Sequence, residues 1–186
     1  MKKTLLILIC GHLIACNSFG KVKVSKDEFK GSTVVEMTLR HSSTEDFGLY
    51  SRNIGEVTYL REVLNDKATS FKLMIKSGYL PIEGGFNLDE NGFLKIGEAQ
   101  IAIKLSNRTN HSKSETSSKG KKKDDDEVET TTVNFASAEV NLDPKSLDQL
   151  AAANAVAIRI YYKSKAITYT FDEDDIAKLH AFLGAK

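Results

Sequence analysis

Cysteine is scarce in this chain, whose 186 residues include only Cys10 and Cys16. Cys10 lies in an apolar segment near the amino terminus that we expect to be removed from the mature chain. Cys16 would then be the only thiol left, which excludes an intramolecular disulfide. Because a chain of this length can bury a stabilising core without covalent cross-links, Cys16 is expected to have another role.

An excess of basic residues is also lacking. The chain has 26 Lys and Arg against 25 Asp and Glu, and without Lys2 and Lys3 the count becomes 24 against 25. A surface that binds phosphate backbones needs a surplus of Lys and Arg on one face. No nucleic-acid partner is therefore expected.

Recognisable catalytic motifs are missing as well. The sequence has no G-x-S-x-G nucleophile motif and no phosphate-binding loop. The histidines beyond the apolar leader, His41, His111 and His180, do not have the spacing of metal ligands. We therefore predict a protein that is not an enzyme, with an active site assembled from scattered residues as the least favoured alternative.

The amino terminus has the pattern of an export signal. Met1–Lys3 is short and basic, and Thr4–Cys10 is apolar but shorter than the roughly 20 apolar residues that cross a bilayer. The small residue Ala15 precedes the expected cleavage point. We therefore predict that residues 1–15 are a signal peptide.

The segment Leu13-Ile14-Ala15-Cys16 resembles the lipobox of bacterial lipoproteins. The resemblance implies that a signal peptidase recognises Leu13, Ile14 and Ala15 and cuts before Cys16. It also implies that the cysteine thiol carries diacylglycerol and that the new amino terminus carries an acyl chain. Because each buried methylene contributes about 0.8 kcal/mol, two or three acyl chains give a stable anchor. Apart from this covalent lipid, no cofactor is expected.

Asn17 follows the lipid-bearing cysteine. It is not the aspartate that, in the enteric version of the family, retains a lipoprotein at the inner membrane. The resemblance therefore favours the outer membrane or the cell surface. Residues 16–30 are predicted to be the lipidated cysteine and its tether, with an edge-strand pattern at Val22 and Val24.

Alternating apolar residues predict strands in most of the remaining chain. The predicted strands cover residues 32–40, 70–76, 94–105 with a break at Gly97, 133–142, and a hairpin over 156–171 that turns at Ser164-Lys165. Helical spacing predicts a short helix over Glu56–Asn65. Two further helices are predicted to start at Asp143-Pro144 and at Asp172.

The stretch from Asn107 to Glu127 has no Val, Ile, Leu, Met, Phe or Tyr. Since burial cannot offset its ordering entropy, we predict a mobile charged loop over residues 107–130. The run Lys119–Glu127 within it is interpreted as solvated, with partner binding as an alternative. Together the patterns predict that residues 31–186 form a single α+β domain with six to seven strands and three short helices. The strands would be mostly antiparallel, in one sheet or in two packed face to face.

The segment 87–98 has the spacing of a calcium-binding loop, with Gly92 at its sixth position. The candidate ligands are Asn87, Asp89, Asn91 and Glu98. The first ligand is Asn instead of Asp, and the flanking sequence favours strands over helices. We prefer a hairpin turn over residues 89–92, because Asn-Gly is a common turn pair, and we predict no metal.

A second candidate patch groups basic and aromatic side chains near one hairpin end. Its members are Arg159, Tyr161, Lys163 and Lys165. The preferred interpretation is the solvated face of a sheet, and a binding patch is the alternative.

These observations predict a lipid-anchored cell-envelope protein that acts as a non-enzymatic binding or scaffolding module. Its expected partners are the membrane, through the lipid, and a protein of the envelope. The alternative is a carrier or sensor of a small apolar ligand. A cavity lined by Phe and Tyr would favour the carrier, and a solid core with an exposed apolar or aromatic patch would favour the binding module. A His–carboxylate pair in a cleft would favour an enzyme.

Overall fold

The computed structural model describes residues 19–45, 54–80, 88–119, 127–162 and 165–186. The strands are β1 (Lys23–Asp27), β2 (Ser32–Ser42), β3 (Ile54–Leu64), β4 (Lys67–Leu80), β5 (Asn91–Ile96), β6 (Ala99–Lys104), β7 (Ser106–Lys119), β8 (Glu127–Leu142), β9 (Val156–Tyr162) and β10 (Lys165–Thr170). The helices are α1 (Ser146–Ala151) and α2 (Glu173–Gly184). The predicted β-rich single domain is confirmed, whereas the described residues form more strands and fewer helices than predicted.

The strands form two antiparallel sheets. The large sheet has the order β1-β2-β3-β4-β8-β7, and the small sheet has the order β10-β9-β5-β6. The sheets meet at a corner, where Ser43 forms an antiparallel bridge with Tyr169 and the amide of Thr44 donates to the carbonyl of Thr168 at 3.0 Å. Of the two arrangements left open by the sequence, the structure has two sheets.

One apolar core joins the inner faces of both sheets. Alternate residues of each strand point inward, as the two-residue repeat of a strand requires, so Val57 and Tyr59 of β3 are buried with Ile158 and Ile160 of β9. Helix α2 adds Ile176, Leu179 and Phe182 to the same core. Asp172 caps this helix as predicted, since its side chain accepts from the amide of Asp175 at 2.8 Å. No helix among the described residues is long and apolar enough to cross a membrane.

The predicted helix over Glu56–Asn65 is wrong, because these residues belong to β3 and its turn. Strand β3 pairs with β2 on one side and β4 on the other. Its inward residues Val57 and Tyr59 alternate, and such β-branched and aromatic residues fit a pleated surface. Over so short a length the apolar residues fit both the helical repeat and the two-residue repeat of a strand. Hydrogen bonding to β2 on one side and β4 on the other favours the strand.

The predicted loop over residues 107–130 is also wrong for most of its length. Residues 106–119 and 127–142 are the paired strands β7 and β8, and residues 120–126 lie outside the described residues. Strand β8 pairs with β4 only from Asn134 to Leu142. Beyond that point, within the described residues, 112–119 and 127–133 form a two-stranded extension that we call the ribbon. Backbone hydrogen bonds can hold these polar strands together without side-chain burial.

Candidate functional site

The outward-facing side chains of the large sheet form a mixed polar and apolar surface, which we call the outer face. Its central members are Glu36, Thr38, Arg40, Glu56, Thr58, Leu60, Lys72, Met74, Lys76, Phe135, Ser137 and Glu139. They face outward because the alternate residues of the same strands fill the core.

Cross-strand ion pairs order the charged part of this face. Arg40 Nη2 lies 2.8 Å from Glu56 Oε1, and Lys72 Nζ lies 2.9 Å from Glu139 Oε2. Hydrogen bonds from Lys72 and then Asn107 lower the pKa of Glu139 below its usual value. These carboxylates are therefore matched by cations on the neighbouring strands.

An apolar spot lies between the ion pairs. Met74 is 38% exposed although it lies in the middle of β4. Thr58 is its direct partner on β3, and Leu60 lies diagonally across from it, opposite Lys72. An exposed methionine adapts its shape to different contact surfaces, so this spot has the character of a contact point for another molecule.

A separate aromatic pair lies nearer the edge of the sheet, beyond Lys76 and Ser137. The rings of Phe135 and His111 are stacked, with centroids 5.1 Å apart and an interplanar angle of 17°. Phe135 lies over Gly78, where an added Cβ would be 3.1 Å from its Cε1 atom. Lys76 Nζ lies 5.5 Å from the centre of the same ring. The missing side chain at Gly78 therefore makes room for an aromatic platform on the outer face.

A buried polar cluster lies on the other side of the sheet, at the end of β2. His41 Nδ1 lies 3.2 Å from Asp175 Oδ2, and the imidazole stacks on Phe171 with centroids 4.4 Å apart. Burial lowers the pKa of His41 to about 4, so the ring is neutral at pH 7. Burial also raises the pKa of Asp175. Neither ring nitrogen has a well-directed hydrogen bond to another described residue.

Two tyrosine hydroxyls lie deeper in the core. The hydroxyls of Tyr169 and Ser77 are 2.7 Å apart and connect the small sheet to the large one. The Tyr59 hydroxyl is buried without a hydrogen-bond partner among the described residues, and burial raises the pKa of its phenol. These groups connect and fill the core, and their burial keeps them away from solutes.

A shallow polar pocket of about 300 Å³ lies where the chain passes from β6 to β7. Its lining residues are Glu90, Lys104, Leu105, Ser106, Asn107 and Arg108. Arg108 donates from Nη1 to the carbonyl of Leu88 at 2.6 Å and from Nη2 to Glu90 Oε1 at 3.0 Å. Because these contacts already engage the guanidinium, we interpret the pocket as part of the junction between the two sheets and not as a ligand site.

The structure does not bring the calcium-loop candidates together. Asn91 begins β5, and Glu98 lies in the turn after it, so roughly 17 Å of extended strand separates the two positions. Asp89 donates its amide to the carbonyl of Tyr161 at 2.9 Å, and Asn87 lies outside the described residues. The preferred hairpin turn at residues 89–92 is wrong too, because the hairpin turns at Gly97-Glu98. Gly97 has φ +56°, which favours glycine.

The basic hairpin patch is partly described. Arg159 donates from Nε to Thr168 Oγ1 at 2.9 Å, and that hydroxyl donates to Glu45 Oε1 at 2.6 Å. Tyr161 packs edge-on against Phe93 with centroids 6.3 Å apart. These contacts lie on the outward side of the small sheet and occupy the side chains locally. Lys163 lies outside the described residues, as do Leu13, Ile14, Ala15 and Cys16.

The described fold defines the chain as a two-sheet antiparallel β domain with a helix packed into its core. No family model, curated protein or solved structure matches the chain.

Proposed function

We propose that this chain is a lipid-anchored cell-envelope protein whose β domain is a non-enzymatic binding module. The observation that carries the proposal is the outer face, where exposed Met74 lies between two ion pairs and the stacked Phe135–His111 pair lies beside Lys76. Apolar and aromatic groups framed by polar ones are typical of protein contact sites. We propose the outer membrane or the cell surface as the location, because the resemblance to the lipobox favours it.

The packing of the aromatic core argues against the carrier alternative. The Tyr59 and Phe182 rings have centroids 5.9 Å apart, and those of Phe71 and Phe182 are 6.5 Å apart. At these separations aromatic rings are in contact with each other. The Phe and Tyr side chains that would line a cavity for an apolar ligand therefore fill this part of the core themselves.

The His41–Asp175 pair does not favour the enzyme alternative either. The His41 side chain is 1% exposed and that of Asp175 is 14% exposed. A general acid or base must come within hydrogen-bond reach of its substrate. A pair that lies against Phe171 in the core serves packing better than proton transfer to a solute.

The lipid anchor is tested by expressing the full chain in a bacterium that is fed labelled palmitate. We expect label on the wild-type protein and none on the Cys16→Ser variant. Mass spectrometry of the amino-terminal peptide should give a chain that starts at residue 16 with lipid attached. An unmodified cysteine, or a retained leader, would contradict the anchor.

The binding surface is tested separately with a photo-crosslinking amino acid at Met74. Lys95 is the matched control, because it is exposed on the outward side of β5 in the small sheet. In intact cells we expect a discrete cross-linked protein adduct from position 74 and none from position 95. Equal cross-linking at both positions, or none at position 74, would count against the outer face.

A further inference from the structure

The amino-terminal segment and the ribbon leave the large sheet at the same end. Residues 19–22 continue antiparallel to β2, since the Gly20 amide donates to the carbonyl of Thr38 at 2.7 Å. Followed from β1 towards the amino terminus, the chain therefore approaches Ser42, the last residue of β2. The pairing of β2, β3, β4 and β8 places the start of the ribbon at this end too. We call it the anchor end.

Phe19 is fixed to the body of the domain at the anchor end. Its ring lies 4.2 Å from the Arg40 guanidinium carbon. The next residue, Gly20, packs so closely on Lys178 that an added Cβ would lie 2.7 Å from Cδ. Phe19 and Gly20 therefore already belong to the folded domain, although both lie within the tether predicted over residues 16–30.

The distance from the proposed lipid to the domain is correspondingly short. Three residue steps separate Cys16 from Phe19, so their α-carbons are at most about 11 Å apart. The eleven residues of β3 extend roughly 33 Å from the anchor end to the opposite end of the sheet. A lipid attached at residue 16 therefore keeps the anchor end within reach of the headgroups.

From this geometry we infer that the anchor end of the large sheet, with Phe19 and Arg40, rests on the lipid bilayer that holds Cys16. The inference rests on the proposed lipid anchor and adds an orientation to it. An aromatic ring beside a guanidinium suits the interface, where amphipathic and cationic side chains meet lipid headgroups. The opposite end, with the β3–β4 turn, points away from the membrane.

The ribbon is compatible with this orientation because the sheet twists. Three strand steps lead from β2 to β8, and a twist of about 20–25° per step turns the ribbon by roughly 60–75°. The ribbon then runs across the bilayer surface instead of into it. Its sequence is rich in Ser, Thr, Lys and Glu, which suits the headgroup layer and not the hydrocarbon.

The orientation is tested with lipidated protein purified from cells and reconstituted in vesicles that contain a headgroup-linked nitroxide quencher. The native thiol would be acylated, so one introduced cysteine takes the fluorescent probe. Ser42→Cys places it at the anchor end and Lys67→Cys at the opposite end, and both positions are exposed. We expect at least threefold stronger quenching at position 42.

Equal quenching at both positions would mean that the domain lies flat, and stronger quenching at position 67 would mean the reverse orientation. Either result overturns the inference. A spacer of ten Gly and Ser residues between Ser18 and Phe19 should reduce the difference. Flotation with the vesicles and the mass of the amino-terminal peptide report on the anchor itself. An unlipidated chain that does not float would refute the anchor, and the orientation with it.

Discussion

Two antiparallel strand pairs of the large sheet show how differently strands are stabilised. The β3–β4 pair lies between β2 and β8 and buries Val57, Tyr59, Phe71 and Leu73. The ribbon has the same backbone pairing but extends past β4, and His111 to Ser114 near its base are exposed. The first pair is held by the core, and the second is held by its backbone hydrogen bonds. Stability should therefore depend strongly on one and weakly on the other.

Removing a buried aromatic ring should have the largest effect. Phe182 is fully buried and contacts Tyr59 and Phe71, so Phe182→Ala is expected to cost about 3–5 kcal/mol of unfolding free energy. The matched Phe135→Ala on the outer face removes a cross-strand contact and should cost less than about 1 kcal/mol. Urea unfolding followed by circular dichroism measures both. Similar losses for the two variants would contradict the distinction between core and outer face.

The second-largest loss of stability is expected from an added side chain in the core where the two sheets meet. The ring of Tyr169 lies against Gly55, where an added Cβ would come within 2.6 Å of Cε1. Because both groups are buried, Gly55→Ala should destabilise the fold by about 3 kcal/mol. Gly184→Ala is the control, since nothing lies within 4 Å of its added Cβ. If Gly55→Ala unfolded at the wild-type urea midpoint, the close packing of Tyr169 on β3 would be refuted.

Alternating apolar and polar residues in the sequence predicted the core strands, because burying one face of a strand requires that alternation. Phe71, Leu73 and Ile75 face inward as predicted, and so do Ile158 and Ile160. The misassigned β3 shows the limit, since its apolar spacing fitted a helix and only pairing with two neighbours decided otherwise. The ribbon was missed for a related reason. Its strands bond through the backbone, which leaves no apolar pattern in the side chains.

The candidate sites were less predictable than the strands. His41 and Asp175 lie far apart in sequence, and the fold of β2 against α2 brings them together. The platform at Phe135 depends on its register opposite Gly78. A glycine inside a strand pattern is a sequence signal for close approach, but it does not name the partner. The calcium-loop spacing, by contrast, is a local sequence pattern, and the extended strand β5 holds Asn91 and Glu98 apart.

Acid should destabilise the buried core through the protonation of His41. Its pKa falls from 6.5 to about 4 on folding, so the unfolded chain binds the proton more readily. Stability is therefore full above pH 6.5 and falls by about 2 kcal/mol between pH 7 and pH 4.5. Asp172 and Asp175 favour the charged ring and Lys178 opposes it.

Urea unfolding across this pH range tests the role of His41. The raised pKa of Asp175 has the opposite sign, because its folded carboxyl takes up a proton more readily, and it offsets part of the loss at the acid end. A His41→Phe variant keeps an aromatic ring on Phe171 and cannot titrate, so its stability should change less with pH. An unchanged pH dependence in that variant would assign the effect to other groups.

Shortening the ribbon should have the smallest effect. A variant that lacks residues 114–132 and joins Lys113 to its strand partner Val133 through Asn-Gly keeps the stacked pair of His111 and Phe135. The turn residues suit a two-residue hairpin connection. Since the removed strands lie beyond β4, the unfolding free energy should stay within about 0.5 kcal/mol of the wild type. A loss of several kcal/mol would show that the ribbon packs on the domain, and the contrast with β3–β4 would then fail.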